Sequence, residues 1–180
     1  MPERQTLKRA RRDKREGKSA STQAGEFVRE EIQHIRQGKH GARNSRQAIA
    51  IGLSKARRAG VDLKPPAEGR TSAGTARKAR RDYARGHGES ERRPVTARRR
   101  AASERALERE PREAATPQAL ARQARSAARR RSPAARSAAA RKAAQTKGPA
   151  RRSAAARKAA HSRGTHRMRS RPSAARSLHA

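Results

Sequence analysis

GEFVREEIQHIRQGKHGARNSRQAIAIGLSKARRAGV, residues 25–61, is the only stretch in which large apolar residues return at a fixed interval. Val28, Ile32 and Ile35 fall at i, i+4 and i+7, and Ile49, Leu53 and Ala56 repeat that spacing. Each set is one stripe of a helix with 3.6 residues per turn. Gly38-Lys39-His40-Gly41 separates the two stripes. Amphipathic helices joined by about six residues pack antiparallel, so the spacing predicts a small helical hairpin. Its expected core is Phe27, Val28, Ile32, Ile35, Ile49, Leu53 and Ala56, flanked by Ile51 and Val61.

The ends of both helices are also written in the sequence. Ser21 or Thr22 is placed to cap the first, and Glu26, Glu30 and Glu31 occupy its early turns, where carboxylates suit the positive end of the dipole. Gly38 stands where a helix end favours positive φ. Asn44 caps the second helix, and Gln47 three residues later completes a capping-box-like pair. Gly60 then ends it, with Val61 placed for the apolar contact that accompanies such a cap, and Pro65-Pro66 bars continuation.

Outward from the hairpin the composition changes character. The 180-residue chain has a net charge of +34, with 36% charged and only 1% aromatic residues. Low hydrophobicity with high charge leaves too little apolar surface to offset ordering entropy, so most of the chain outside 21–63 is expected to lack fixed structure when free. The expected fold class is mostly α and disordered: a small antiparallel helical hairpin with long basic, alanine- and arginine-rich arms. Residues 1–20 read as a basic N-terminal arm, 21–63 as the hairpin and 64–95 as a Pro/Gly-rich basic linker. Residues 96–113 read as a marginal mixed-charge helix, and 114–180 as an acid-free tail. A lone hairpin of this size is marginal, and its apolar stripe offers a surface for a homodimer.

That tail holds 15 Arg and 3 Lys without one Asp or Glu. SAAARKAAQTKG at 137–148 returns as SAAARKAAHSRG at 153–164. Thr116-Pro117 and Ser132-Pro133 place a capping residue before Pro at a first helical position. Alanine and arginine are strong helix formers, yet unbound like charges repel, so helix formation is expected to accompany phosphate neutralisation.

The hairpin resembles a small bacterial family often labelled as DNA-binding or plasmid-stabilisation proteins. The likeness rests on the glutamate-bearing helix, the Gly-Lys-His-Gly turn, Gln47-Ala48-Ile49-Ala50-Ile51 and Ser54-Lys55-Ala56-Arg57-Arg58, and covers residues 22–62. The tail, through Ser132-Pro133-Ala134-Ala135 and the SAAARKAA blocks, is similar to the tails of linker histones and to bacterial histone-like arms, with Arg where those use Lys. These likenesses imply DNA binding and carry no catalytic residues.

A pI near 12 requires a polyanionic partner. Duplex DNA is favoured over RNA, because the chain offers almost no aromatic side chains on which single-stranded bases could stack. The lone Tyr83, beside Arg80, Arg81 and Arg85, is read as incidental. Candidate nucleic-acid contacts are Lys39, His40, Arg43, Arg46, Lys55, Arg57 and Arg58 in the hairpin. In the tail they are Arg129, Arg130, Arg131, Arg136, Arg141, Lys142, Arg151, Arg152, Arg157 and Lys158. Phosphate contacts of this kind position without reading bases.

Other chemistry is expected to be absent. With no Cys there is neither a disulfide nor a thiolate metal site. The six histidines show no paired ligand spacing, so no metal or other cofactor is expected. No scaffold is evident that would hold a catalytic triad, so the chain is not expected to be an enzyme. No apolar run approaches a transmembrane length and no hydrophobic run follows the basic start. Cytoplasmic, nucleoid-associated residence is therefore expected. The turn resembles the GXXG loop of KH domains, but no strands accompany it; a helix-turn-helix reader with residues 45–58 in the groove would want a tighter turn. Two further alternatives are an RNA- or ribosome-associated protein, and an adaptor whose acidic first helix, with Glu26, Glu30 and Glu31, binds a protein.

Overall fold

The computed structural model describes residues 2–67, 69–89 and 96–169. Among these the regular elements are all helical: α1 (Arg4–Arg15), α2 (Ala20–Arg36), α3 (Ser45–Arg58), α4 (Ala73–Gly86), α5 (Ala97–Glu108), a 3₁₀ turn (Glu113–Ala115), α6 (Pro117–Arg129) and α7 (Pro133–Arg169). The chain divides into two compact units, Met1–Ser126 and Ala127–Ala180.

The first unit is built on α2 packed against α3. They approach closely at Gly52, where an added Cβ would stand 2.7 Å from Val28 Cα. The buried edge of α3 is Ser45, Ala48, Gly52 and Ala56, while Ile49, Ile51 and Leu53 are half-buried beside it. The stripe is therefore displaced from the one the large residues mark. Small side chains let the helix backbones come together, and the larger ones flank the contact. Of the expected core, Phe27, Ile35, Ala56 and Val61 are buried, joined by Ala24, Ala42 and Ala48.

The helix ends follow local chemistry. The Asn44 side chain accepts from Gln47 N at 3.0 Å, and Arg43 N donates to Gln47 Oε1 at 2.8 Å. Gly60 has φ +83, and Val61 N donates to Ala56 O at 3.2 Å, closing α3 with Val61 in the core. The start of α2 differs from expectation. It begins after Ser19, not Ser21 or Thr22, and the Ser19 hydroxyl faces those two hydroxyls instead of capping backbone.

Residues 1–20 are not a free arm. Arg4–Arg15 form α1, which lies on α2 and buries Thr6, Ala10 and Asp13. Those residues fall at i, i+4 and i+7, a helical stripe hidden by the surrounding arginines because its members are small or polar. Leu7 and Ala10 join the cluster of Phe27, Ala24, Ala56 and Val61. Nor is 64–95 only a linker. It contains α4, capped by Ser72 on Thr75 N, which packs Ala76, Ala79 and Asp82 against α3. Gly86 at its end comes so near the Arg57 carbonyl that an added Cβ would stand 1.9 Å from that oxygen.

Residues 107–115 cross the α2–α3 turn. Gly41 N donates to Leu107 O and Ala42 N to Pro111 O, both at 2.8 Å. Ser45 Oγ donates to Ala114 O at 2.6 Å and Arg36 Nε to Ala115 O at 2.9 Å. Ala114 and Ala115 are buried with Ile35, Ala42 and Ala48, so the first residues of the acid-free segment belong to this core. Much of the stripe expected to serve a homodimer is thus covered from within the chain. A Cβ on Gly41 would overlap the Glu110 carbonyl, which explains why the turn ends on glycine.

α5 buries nothing, in keeping with its single large apolar residue, Leu107. Beyond it the chain is helical where a free coil is expected. α6 and α7 follow the helix-forming preference of Ala and Arg, and Ser132 caps α7 by accepting from Ala135 N at 3.2 Å. α7 breaks at Gly148, φ +68, before Pro149. Residues 170–180 of the expected tail lie outside the described residues.

Candidate nucleic-acid interface

Burial and pairing divide the candidate contacts into three sets. In the first, cations are turned into the fold. The Lys55 ammonium lies 2.6 Å from Glu31 Oε2 and 3.7 Å from Glu30 Oε1, beneath the surface. Arg57 is half-buried and donates from Nε to Leu63 O at 3.0 Å. Burial lowers its pKa, outweighing the opposing attraction of Asp82. His40 is half-buried with Nε2 3.2 Å from Glu31 Oε1. These three are not free phosphate contacts. For Lys55 and Arg57 the signal is their position at helix spacing among apolar residues of α3; His40, in the turn, carries no such signal.

The second set is exposed on the first unit. Lys39 reaches Glu3 at 3.3 Å, and Arg58 approaches Asp82 at 3.7 Å. Arg43 and Arg46 stand at the start of α3 and line an open cleft of about 440 Å³ with Arg122 of α6. Arg46 Nε donates to Gln123 Oε1 at 3.2 Å, which ties the two walls together. Glu113 is the single acid of the cleft wall. Three guanidinium groups beside the positive end of a helix dipole form an anion-attracting surface. Arg122 is the residue of this cleft absent from the expected contacts; it and Arg125 sit at i, i+3 on α6, a spacing readable in the sequence.

The third set lies on the second unit. Arg129, Arg130, Arg131, Arg136, Arg141, Lys142, Arg151, Arg152, Arg157 and Lys158 are all exposed. At about 100° per residue, positions 136, 141 and 142 point in three directions, and 151, 152, 157 and 158 likewise spread around the helix. On each side of the break at Gly148 the cations surround the helix instead of forming one face.

No protein-family model matches the chain, and no curated protein or solved structure does either.

The acids are placed differently from expectation. Glu30 and Glu31 are 1% and 0% exposed, and Glu26 binds Arg9 Nε at 2.6 Å. The acidic surface that an adaptor would present is consequently turned inward or neutralised. The start of α1 helps to hold it there, since Glu3 N donates to Glu30 Oε2 at 3.1 Å. The Glu3 carboxyl titrates below its ordinary range, chiefly through its hydrogen bond to His34, with Lys39 adding to the effect. Tyr83 is also occupied: its hydroxyl donates to Asp62 Oδ1 at 2.6 Å and its ring stacks on His87 at 3.9 Å. Among the described residues no helix is long and apolar enough to cross a membrane.

Proposed function

We propose that this is a non-enzymatic, histone-like protein that neutralises and compacts duplex DNA with little regard to sequence. The observation that carries the reading is the acid-free segment 114–180, whose candidate contacts on α6 and α7 stand outward around their helices. A groove reader presents one recognition face with side chains aimed at base edges. Cations spread around a helix instead suit phosphates approaching from several directions, as when strands of DNA are drawn together. The Arg43, Arg46 and Arg122 cleft adds a phosphate contact on the first unit. Nucleoid association and a part in plasmid maintenance are the cellular settings consistent with such binding. RNA is the competing ligand, since it offers the same phosphates.

The test is a salt titration of binding by the full chain and by residues 1–126, against unrelated duplexes and a structured RNA. The second unit carries 13 Arg and 3 Lys with no acid. Log affinity falls with log salt at a slope of about −0.9 per phosphate contact, so if half of these cations engage, removing them flattens the slope by roughly 7. Affinities for unrelated duplexes should agree within about tenfold at one salt concentration. Equal slopes for the two proteins would overturn the role of the arginine-rich segment. A preference of about a thousandfold for one duplex would mark a specific regulator, and tighter binding to RNA at matched salt would move the reading to an RNA partner.

A further inference from the structure

One cluster in the first unit lies outside the phosphate-contact reading. Glu31 and His34, at i, i+3 on α2, meet His40 from the turn, and one ligand atom of each lies within 4.8 Å of the others. Glu31 is fully buried, and neither of its carboxylate oxygens has an aligned hydrogen-bond donor. Lys55 stands beside it as a charge at 2.6 Å.

The geometry of His40 sharpens the point. Its Nδ1 lies 3.1 Å from the Gly41 carbonyl. A carbonyl only accepts, so Nδ1 carries the hydrogen. Nε2 is then the nitrogen available to a ligand, and it lies 3.2 Å from Glu31 Oε1, which has no hydrogen-bond partner of its own. Ligand atoms around tetrahedral zinc, with bonds near 2.0 Å, stand roughly 3.3 Å apart, so this edge is already the right length. A histidine whose other nitrogen donates to a backbone carbonyl is the usual arrangement of a metal ligand. His34 Nε2 lies 2.8 Å from Glu3 Oε1, bringing a further carboxylate oxygen to the rim.

The surrounding charge has the right sign. Glu3, Glu30 and Glu31 oppose Lys39 and Lys55, which leaves one net negative charge when both histidines are neutral. Lys55 also has somewhere to go, because Glu30 Oε1, 3.7 Å away, is buried and lacks a hydrogen bond of its own.

We propose that Glu31, His34 and His40 bind one divalent transition-metal ion of the zinc class, which ties the α2–α3 turn to α2. Two imidazoles and a carboxylate suit zinc or cobalt; magnesium and calcium prefer all-oxygen shells. A metal staple fits a fold whose buried core is largely alanine, since small cores gain most from such a link.

The test uses the full chain after chelator treatment, titrated with zinc chloride by calorimetry and with cobalt(II) by absorption, in magnesium-containing buffer. The expected result is one ion per chain, a tetrahedral cobalt spectrum, and a thermal midpoint raised by zinc. His34→Gln and His40→Gln should each weaken zinc binding by at least about tenfold, while His161→Gln leaves it unchanged. The cobalt spectrum of the unaltered chain decides the matter even where a variant does not fold. Absence of zinc binding by the folded chain would overturn the proposal. Unchanged affinity in folded His34→Gln and His40→Gln chains would overturn it equally, placing the ion elsewhere.

Discussion

Gly25 and Gly52 both lie within helices, and the same substitution should act on them with opposite sign. Alanine in an exposed helix interior is favoured over glycine by about 0.8–1 kcal/mol, because less backbone freedom is lost. Nothing lies within 4 Å of a Cβ added to Gly25, so Gly25→Ala should stabilise by about that amount. At Gly52 the same Cβ arrives 2.7 Å from Val28 Cα and 2.9 Å from Val28 N. Comfortable carbon contacts begin at about 3.5 Å, so α2 and α3 must part locally by nearly that difference. Both obstructing atoms are backbone and cannot swing aside as a side-chain tip would. Overpacking costs about 1–3 kcal/mol, and a helix-on-helix shift belongs at the upper end. After the propensity gain, Gly52→Ala should lose about 1–2 kcal/mol. Urea unfolding followed by far-UV circular dichroism measures both variants. Their free energies should differ by about 2–3 kcal/mol, a midpoint gap of roughly 1–2 M at ordinary urea slopes. If Gly52→Ala matched or exceeded the stability of the unaltered chain, the close crossing of α2 and α3 would be refuted.

Two further outcomes follow from other contacts. Gly41→Ala should drive residues 107–115 off the turn, because its Cβ has no room beneath the Glu110 carbonyl; amide exchange at position 41 and at Ala42 should speed by about tenfold or more while Phe27 and Ala56 stay protected, and unchanged exchange at the turn would contradict the docking. The Tyr83 phenol is raised above its ordinary value, first by its hydrogen bond to Asp62 and then by desolvation. The folded state therefore holds the proton longer than the unfolded one, so this contribution to stability is complete below about pH 10 and fades as pH rises through the higher folded value. Ultraviolet titration should show the upward shift and its loss in Asp62→Asn; equal midpoints would dismiss the bond.

The sequence displays what depends on local chemistry. The Asn44 cap, the Gly38 and Gly60 endings and the pairing of α2 with α3 follow from spacing and residue type. What it conceals are contacts made by small residues. Thr6, Ala10 and Asp13 form the stripe of α1, and Ala76, Ala79 and Asp82 that of α4, with no large apolar side chain among them. Hydrophobic periodicity is blind to such stripes, since their burial excludes water without marking the pattern. Glu30 and Glu31 escape for a related reason. Charged residues at helix spacing read as a solvated face unless their partners are known, and these partners come from the turn, from α3 and from Glu3 ahead of α1. Among the contacts expected in the hairpin, Arg43 and Arg46 remain outward at the start of α3, whereas Lys55 and Arg57 turn inward to Glu31 and to the Leu63 carbonyl.

This division of charge bears on function. Asp13 binds Lys18 at 2.7 Å, Glu26 binds Arg9, Glu31 holds Lys55, and Asp82, 6% exposed, accepts from Ser54 and neighbours Arg58. All 15 acids of the chain lie before Ala114, and the best-buried of them neutralise cations within the first unit. Acids spent this way do not repel an approaching phosphate. The cations left outward, Arg43, Arg46 and Arg122 around the cleft and the arginines ringing α7, meet solvent with little negative charge among them. A chain that merely carried excess base would scatter its acids between those arginines, as 96–113 does. If the proposed binding of a polyanion holds, the salt slope should fall mainly with the second unit and the unfolding free energy mainly with the first, where the buried acids are.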